Sequence, residues 1–538
     1  MNTKILKIAG IVIAALFVLA IALPLFIDVN RFRPEIESNV SAALGRNVTL
    51  GDLSLSILSG SVEANQLAIA DDPKFSSAPF IQAKSLKVGV ELMPLIFSKQ
   101  ISVTHLVIEK PQIALLRTRE GVWNFSSLGA HAGDTAKAPA KSGGSAPQNL
   151  SVDKLEISDG TVSIGSVPAR RAPIVYDKVN VTVKDFAFTG QFPVNLSVEL
   201  PGGGSLKLDA TAGPINPTDA ALTPLKGTIK MKKLDLSHSA LVNPETGIAG
   251  SADFDGTVDS DGHVAKANGT VKASGLKLVP KGSPSSQTVQ VVFAVDHDLQ
   301  KETGQLTQGD VTIGKAALKL SGTYDMQGQG DDTSVHMKLT GQSMPVDDLE
   351  ALLPALGVTL PTGSKLKSGT LNLNFDAVGP VAKIVATGNV HMTDAKLEGF
   401  NLTSKLGAIP GLGGKSGGND TEIQNLSSDV RYSPEGIRLD KMNVVVPSIG
   451  TVTGAGTVSP TNQLDFKLVA NLSGAVGGGL TKVAGLGSGG IPVSVGGTTS
   501  NPTFMPDMKA LAGNEIKNLG NTGKSLGKIG GMFGKKKN

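Results

Sequence analysis

The chain has 538 residues and a net charge of +4, with 65 glycines, 29 prolines, three Tyr, one Trp and no cysteine. The lack of cysteine excludes disulfides, thiolate metal sites and cysteine nucleophiles, and so few large aromatic anchors argue for many short strands joined by turns rather than a compact enzyme core. The charge is carried by seven lysines in the tail from Asp507, set against Asp507 and Glu515, so the body is close to neutral and lacks the basic surface that nucleic acid needs.

The first 28 residues predict a membrane anchor. From Ile5 to Ile27 the only charge is Lys7, and a run of about 20 apolar residues crosses hydrocarbon as a helix, the form that satisfies its own peptide groups. Lys4 and Lys7 can snorkel at one end, and Asp28, Arg31 and Arg33 mark the other. A cleaved secretory signal, with Ala20-Ile21-Ala22 as the small-residue site, is the competing reading, although LPLFI continues the apolar run past it. Either way the bulk of the chain leaves the cytoplasm. Asn30–Leu44 predicts a helix with Pro34 in its first turn, Ile36, Val40 and Leu44 on one face and Gly45 as its stop.

From Val48 to Phe125 apolar residues alternate with period two, which predicts strands with one wet face: VTLGDLSLSIL, SVEANQLAIA, AKSLKVGVEL, ISVTHLVIEK and PQIALLRTR, with DDPKFSSAPF as a loop. Residues 129–149, rich in Ala, Gly, Ser and Pro, predict a linker. Strands resume from Leu150. A loose repeat recurs at Gly227–Ser237, Gly269–Val279 and Gly388–Gly399: glycine, an alternating strand, a short turn or bulge, then a further alternating piece. One helix is predicted over 343–357, with Asp347, Asp348 and Glu350 near its start, Leu349, Leu352, Leu353 and Leu356 on its apolar face, and Pro354 ending or kinking it. The glycine-rich tail, 507–538, reads either as disordered or as an interfacial segment drawn to anionic lipid.

Motifs that carry chemistry fail on inspection. The triplets at Gly414-Lys415-Ser416 and Gly523-Lys524-Ser525 have Ile409 and Asn518 where a phosphate loop needs glycine. Asp253, Asp255, Asp259 and Asp261 lack the calcium-loop spacing, with Thr257 in place of an aspartate, and read as hairpin chemistry. The seven histidines show no metal-ligand spacing. No catalytic, cofactor or metal site is expected. The patterning points instead to geometry: a long sheet with one apolar face must curl, pair with another sheet or be covered. A curled sheet leaves a groove of Val, Leu, Ile and Ala in which acyl chains fit, whereas a packed sandwich gives the same alternation.

Several stretches together resemble the bacterial AsmA family. They are NRFRPEI with LGRNVTLGDLSLSI (Pro34, Gly45, Arg46), AKSLKVGVELMPLI, and ISVTHLVIEKPQIALLRTREGVWNF (Pro111, Trp123). Farther on come the helix at 343–357, GAGTVSPTNQLDFKLVANL, and IPVSVGGTTSNPTFMPD, with Asn501, Pro502, Pro506 and Asp507. The resemblance implies a single-pass protein of the bacterial inner membrane whose bulk lies in the periplasm. It implies a mainly β fold, an elongated, curled antiparallel sheet with a few short helices, divided into an N-terminal domain (29–128), a β-repeat groove (150–342) and a C-terminal region (343–506). It further implies a non-enzymatic role in binding or transferring membrane phospholipid in support of outer-membrane biogenesis. The alternative is an assembly factor whose partners are outer-membrane assembly components and which regulates protein targeting to the membrane. Nucleic acid is not an expected partner, and the oligomeric state is left open.

Overall fold

A computed structural model of the chain describes residues 28–56, 60–91, 103–128, 151–169, 172–239, 242, 246–326, 333–406, 418–472, 490–507 and 509–510. The predicted anchor over Ile5–Ile27, the linker, both lysine-serine triplets and most of the basic tail lie outside these residues. Among the described residues no helix is long and apolar enough to cross a membrane.

The chain enters through a 3-10 turn, Val29–Phe32, and helix α1, Arg33–Leu44. Asp28 accepts the Asn30 N–H at 3.1 Å, Pro34 sits in the first turn of α1, and Gly45 closes it at φ 66°, a conformation glycine adopts without a Cβ penalty.

Eight short strands follow: β1 (Val48–Leu50), β2 (Leu53–Ser56), β3 (Ser61–Ala64), β4 (Leu67–Ala70), β5 (Pro79–Ala83), β6 (Ser85–Val90), β7 (Val103–Glu109) and β8 (Gln112–Thr118). Two stretches predicted as single strands are each broken in two, because the chain crosses between ladders at Gly51-Asp52 and Asn65-Gln66: β1 pairs β4, while β2 pairs β3. The last two residues of the predicted loop, Pro79 and Phe80, begin strand β5. Ladders β1–β4–β5–β8 and β2–β3–β6–β7 both end on β9 (Ser151–Val167).

Here the expectation of an antiparallel sheet is corrected. β7 and β8 run in line along one side of β9, and both are parallel to it. The chain kinks between them at Lys110, φ 48°, followed by Pro111, which has no N–H to give a ladder. A parallel neighbour requires a long return path, and residues 119–150 supply it.

Beyond β9 each strand pairs antiparallel with the next: β10 (Ile174–Ala187), β11 (Phe192–Leu200), β12 (Gly204–Ala212), β13 (Leu225–Asp235), β14 (Ala249–Ser260), β15 (Val264–Lys277), β16 (Val289–Asp298), β17 (Thr303–Ile313), β18 (Ala316–Asp325) and β19 (Ser334–Pro345). The helix predicted over 343–357 is shorter than expected. β19 runs through Pro345, helix α2 covers only Val346–Glu350, and Pro354 opens a 3-10 turn, Pro354–Leu356, instead of ending a helix. The sheet continues as β20 (Lys365–Lys367) and β21 (Thr370–Pro380), set end to end on β22 (Val385–Glu398), with β21 also pairing β19. Helix α3 (Leu402–Leu406) precedes the last meander: β23 (Thr421–Ser433), β24 (Gly436–Val446), β25 (Gly450–Val458), β26 (Leu464–Leu472), β27 (Ile491–Gly497) and β28 (Pro502–Pro506). All 28 strands of the described residues belong to one open sheet.

The recurring sequence phrase has a structural meaning. Six residues after its glycine, each copy carries a left-handed residue: Lys233 (φ 53°), Gly275 (φ 59°) and Asp394 (φ 51°). Ser343 in β19 and Lys441 in β24 are its equivalents. In β13 the order is Met231 inward, Lys232 and Lys233 outward, Leu234 inward and buried, and the register against β14 shifts between Met231 and Leu234. The bulge inserts one residue, so that apolar residues three apart share a face, and it adds local twist and bend.

Two long-range contacts show how far the sheet bends. Arg117, in β8, is ion-paired with Glu302, in the turn between β16 and β17. Likewise Thr362, just before β20, donates its N–H to Ser500 O at 2.9 Å in the β27–β28 turn.

Candidate functional site

The strand register lines residues into rows that cross the sheet. The central row starts at Leu53, Ala64, Leu86, Ile108 and Ile157. Val181, Leu196, Leu208, Ile229, Gly256, Gly269, Phe293 and Gly309 continue it. Gly309 lies against the Leu320 carbonyl across a bulge, and the row resumes as Leu320, Leu339, Phe375, Gly388, Val430, Leu439, Gly456, Phe466, Val495 and Phe504. It crosses 23 strands without one polar side chain. At the spacing of neighbouring strands its contour is about 100 Å.

A second row flanks the first on one side and is buried over most of its length. Leu234, Ala252, Ala273, Val289, Ile313 and Ala316 lead to Met344, Leu371 and Met392, and then to Ala470 and Ile491. Covering segments seal this edge. The β15–β16 loop bonds the 3-10 turn (Leu278 N–H to Ala355 O, 2.9 Å; Ser283 N–H to Pro354 O, 2.8 Å). Val346 of α2 packs on Met392 and Ala395, and Leu406 of α3 on Val446, Ile449 and Ile491.

On the other side a third row, Val194 through Ala210, Val258, Val295, Met337 and Ala386 to Leu464, is half-buried and apolar, with Tyr432 its one hydroxyl. The opposite face of the sheet is wet and charged, with exposed pairs such as Lys226–Asp259 at 2.7 Å and Lys232–Asp253 at 3.0 Å. Surface pairs of this kind add little stability and leave the apolar face as the distinctive one. That face has one sealed and one open edge, and its central residues stay half-buried where a sandwich core would bury them.

At the open edge a cavity of ≈ 740 Å³ lies among the ends of β15 to β21. His297 Nδ1 and the Tyr324 hydroxyl are 3.1 Å apart there, their rings stacked nearly parallel at 5.7 Å between centroids. Burial holds the His297 imidazole below its ordinary value and raises the Tyr324 hydroxyl, so both are neutral at pH 7.

The residues that carry the family resemblance form two separate groups, and neither lies in the central row. In the first, Arg46 is buried and donates to Asn124 O (3.0 Å) and Ser127 Oγ (2.7 Å), with Asp72 at 3.5 Å. Pro34 and Gly45 bound α1, Pro111 is buried at the β7–β8 kink with its carbonyl accepting Thr161 N–H at 2.7 Å, and Trp123 stacks on Phe125. In the second, Asn501 donates its N–H to Thr498 O at 3.0 Å and Pro502 and Pro506 flank the last strand. Asp507 accepts from Ser494 Oγ at 3.3 Å and lies 3.6 Å from Lys467 Nζ. These are folding positions. Sequence reasoning missed Asn124, which is 1% exposed and joins Leu116 N–H, Ala114 O and Asp71; its signal was the paired Asp71-Asp72, a charge couple that a bare loop does not explain. Of the four clustered aspartates, Asp253 and Asp259 form outward ion pairs from β14 and Asp261, in the turn after it, accepts the His263 and Val264 N–H groups, and among the described residues no His, Asp and Glu cluster could hold a metal.

The model of the AsmA family matches residues 2–401, more than half of the chain. The chain belongs to the AsmA family. The match ends as α3 begins, and strands β23 to β28 carry the same rows beyond it in this AsmA-family protein. No curated protein and no solved structure matches the chain.

Proposed function

We propose that this AsmA-family protein is a non-enzymatic carrier of phospholipid, its acyl chains lying along the inner face of the sheet and its headgroups at the open edge. The supporting observation is the central row, apolar or glycine across 23 strands and only half-buried along most of its length. Each methylene removed from water there contributes about 0.8 kcal/mol, so an acyl chain needs no polar anchor. The run Ile5–Ile27 would anchor the chain in the bacterial inner membrane with the sheet in the periplasm, serving outer-membrane biogenesis.

The test is photo-crosslinking in cells. A benzophenone amino acid at Leu339 or Phe375, on the inner face, should yield phospholipid adducts on the full-length protein, and one at Lys338 or Asp376, on the wet face, should not. Adducts at neither or at both pairs would overturn the reading and turn attention to an assembly role.

A further inference from the structure

We infer that the turn linking β8 to Trp123 is a strap that closes the sheet into a ring, held by the Arg117–Glu302 ion pair. Nine strands, β8 to β16, lie between the two anchor points. A ring of about eight strands has a lumen that holds side chains or one small ligand.

The strap is built as a fastening. Glu302, 9% exposed, reaches Arg117 from a left-handed turn position, φ 53°. Its carbonyl accepts Met326 N–H at 2.9 Å, which ties the β16–β17 turn to β18. Arg117 donates Nε–H to Gly121 O at 3.1 Å and lies 5.4 Å from the centre of the Trp123 ring. In a charge pair largely withdrawn from solvent, removing one partner leaves the other as a costly bare charge.

The consequence, which rests on the lipid reading, is that the groove is a tunnel between β8 and β16 and admits an acyl chain sideways only beyond β16 or when the strap opens. The strap itself is testable without lipid, because the chain has no native cysteine and a single Trp. In membrane vesicles carrying the full-length protein, Ile229→Cys, inside the ring, should react with a polyethylene-glycol maleimide at least about an order of magnitude more slowly than Lys230→Cys, on the outer face. Arg117→Gln or Glu302→Gln should bring the two rates together and expose Trp123 to iodide quenching. The exchanged pair Arg117→Glu with Glu302→Arg should restore both protections, which a misfolded variant could not do. Equal rates at Ile229→Cys and Lys230→Cys with the strap intact would overturn the ring, and protection surviving both Gln variants would overturn the fastening. Photo-adducts at Leu339 lie beyond the ring, so their absence would count against the lipid reading and leave the labelling result standing.

Discussion

Single side chains in this protein hold the frame. Asn124 satisfies Leu116 N–H, Ala114 O and the Asp71 carboxylate from a fully buried position. Asn124→Ala removes all three of these bonds at a buried site, and the expected loss is about 2–4 kcal/mol, read as a fall in the urea midpoint. Asp235 gives a pH signature. The Ser237 hydroxyl, and then His238, hold its carboxyl at about 2, below its ordinary 3.8. A folded value under the unfolded one means that the group stabilises above pH 3.8 and loses this contribution as pH falls from 3.8 towards 2. Asp235→Asn should remove that part of the acid dependence, as unfolding midpoints across this window will show. Periodicity pointed to neither residue, since their partners are defined by turns and crossings.

At the scale of elements, strands were legible and their interruptions were not. Alternation marked β12, β13, β18 and β21 directly, whereas α2 was over-read, because Leu349, Leu352, Leu353 and Leu356 have helical spacing that Pro354 interrupts. The bulges were half-legible: an apolar spacing of three inside an alternating run, as in Met231-Lys232-Lys233-Leu234, breaks a strand pattern unless one residue is looped out. Inserting one alanine between Lys233 and Leu234 should therefore turn Leu234 to the wet face, one residue of slip reversing every side chain after it. Losing the burial of Leu234 alone costs about 2 kcal/mol. Lys233→Gly should instead stabilise by about 1 kcal/mol by relieving the left-handed backbone; thermal melts of the two variants will separate the effects.

For the whole molecule, the sheet was predictable and its register was not. Period two told that one face is apolar; only the pairing of strand with strand revealed that apolar residues and glycines line up into an unbroken row. The bend that brings Arg117 to Glu302 was equally invisible, since it accumulates from the twist of many strands. If the row is a conduit, a charge placed in it should act as a block. Leu339→Asp is expected to leave photo-adducts on one side of β19 intact, at Leu208 or at Val430, and to reduce those on the other side severalfold, because a carboxylate in an apolar channel is strongly disfavoured.

The last strand has a further meaning. An open sheet ends in unpaired peptide groups that invite another chain to add on. Asp507 donates its N–H inward, to Pro492 O, so by the alternation of an antiparallel ladder residues 503 and 505 also face β27, while 502, 504 and 506 face out. Two of those three are Pro502 and Pro506, and a single outward N–H remains, at Phe504. The prolines work as a full stop: they end the sheet and keep neighbouring molecules from writing themselves on to its edge as a fibre.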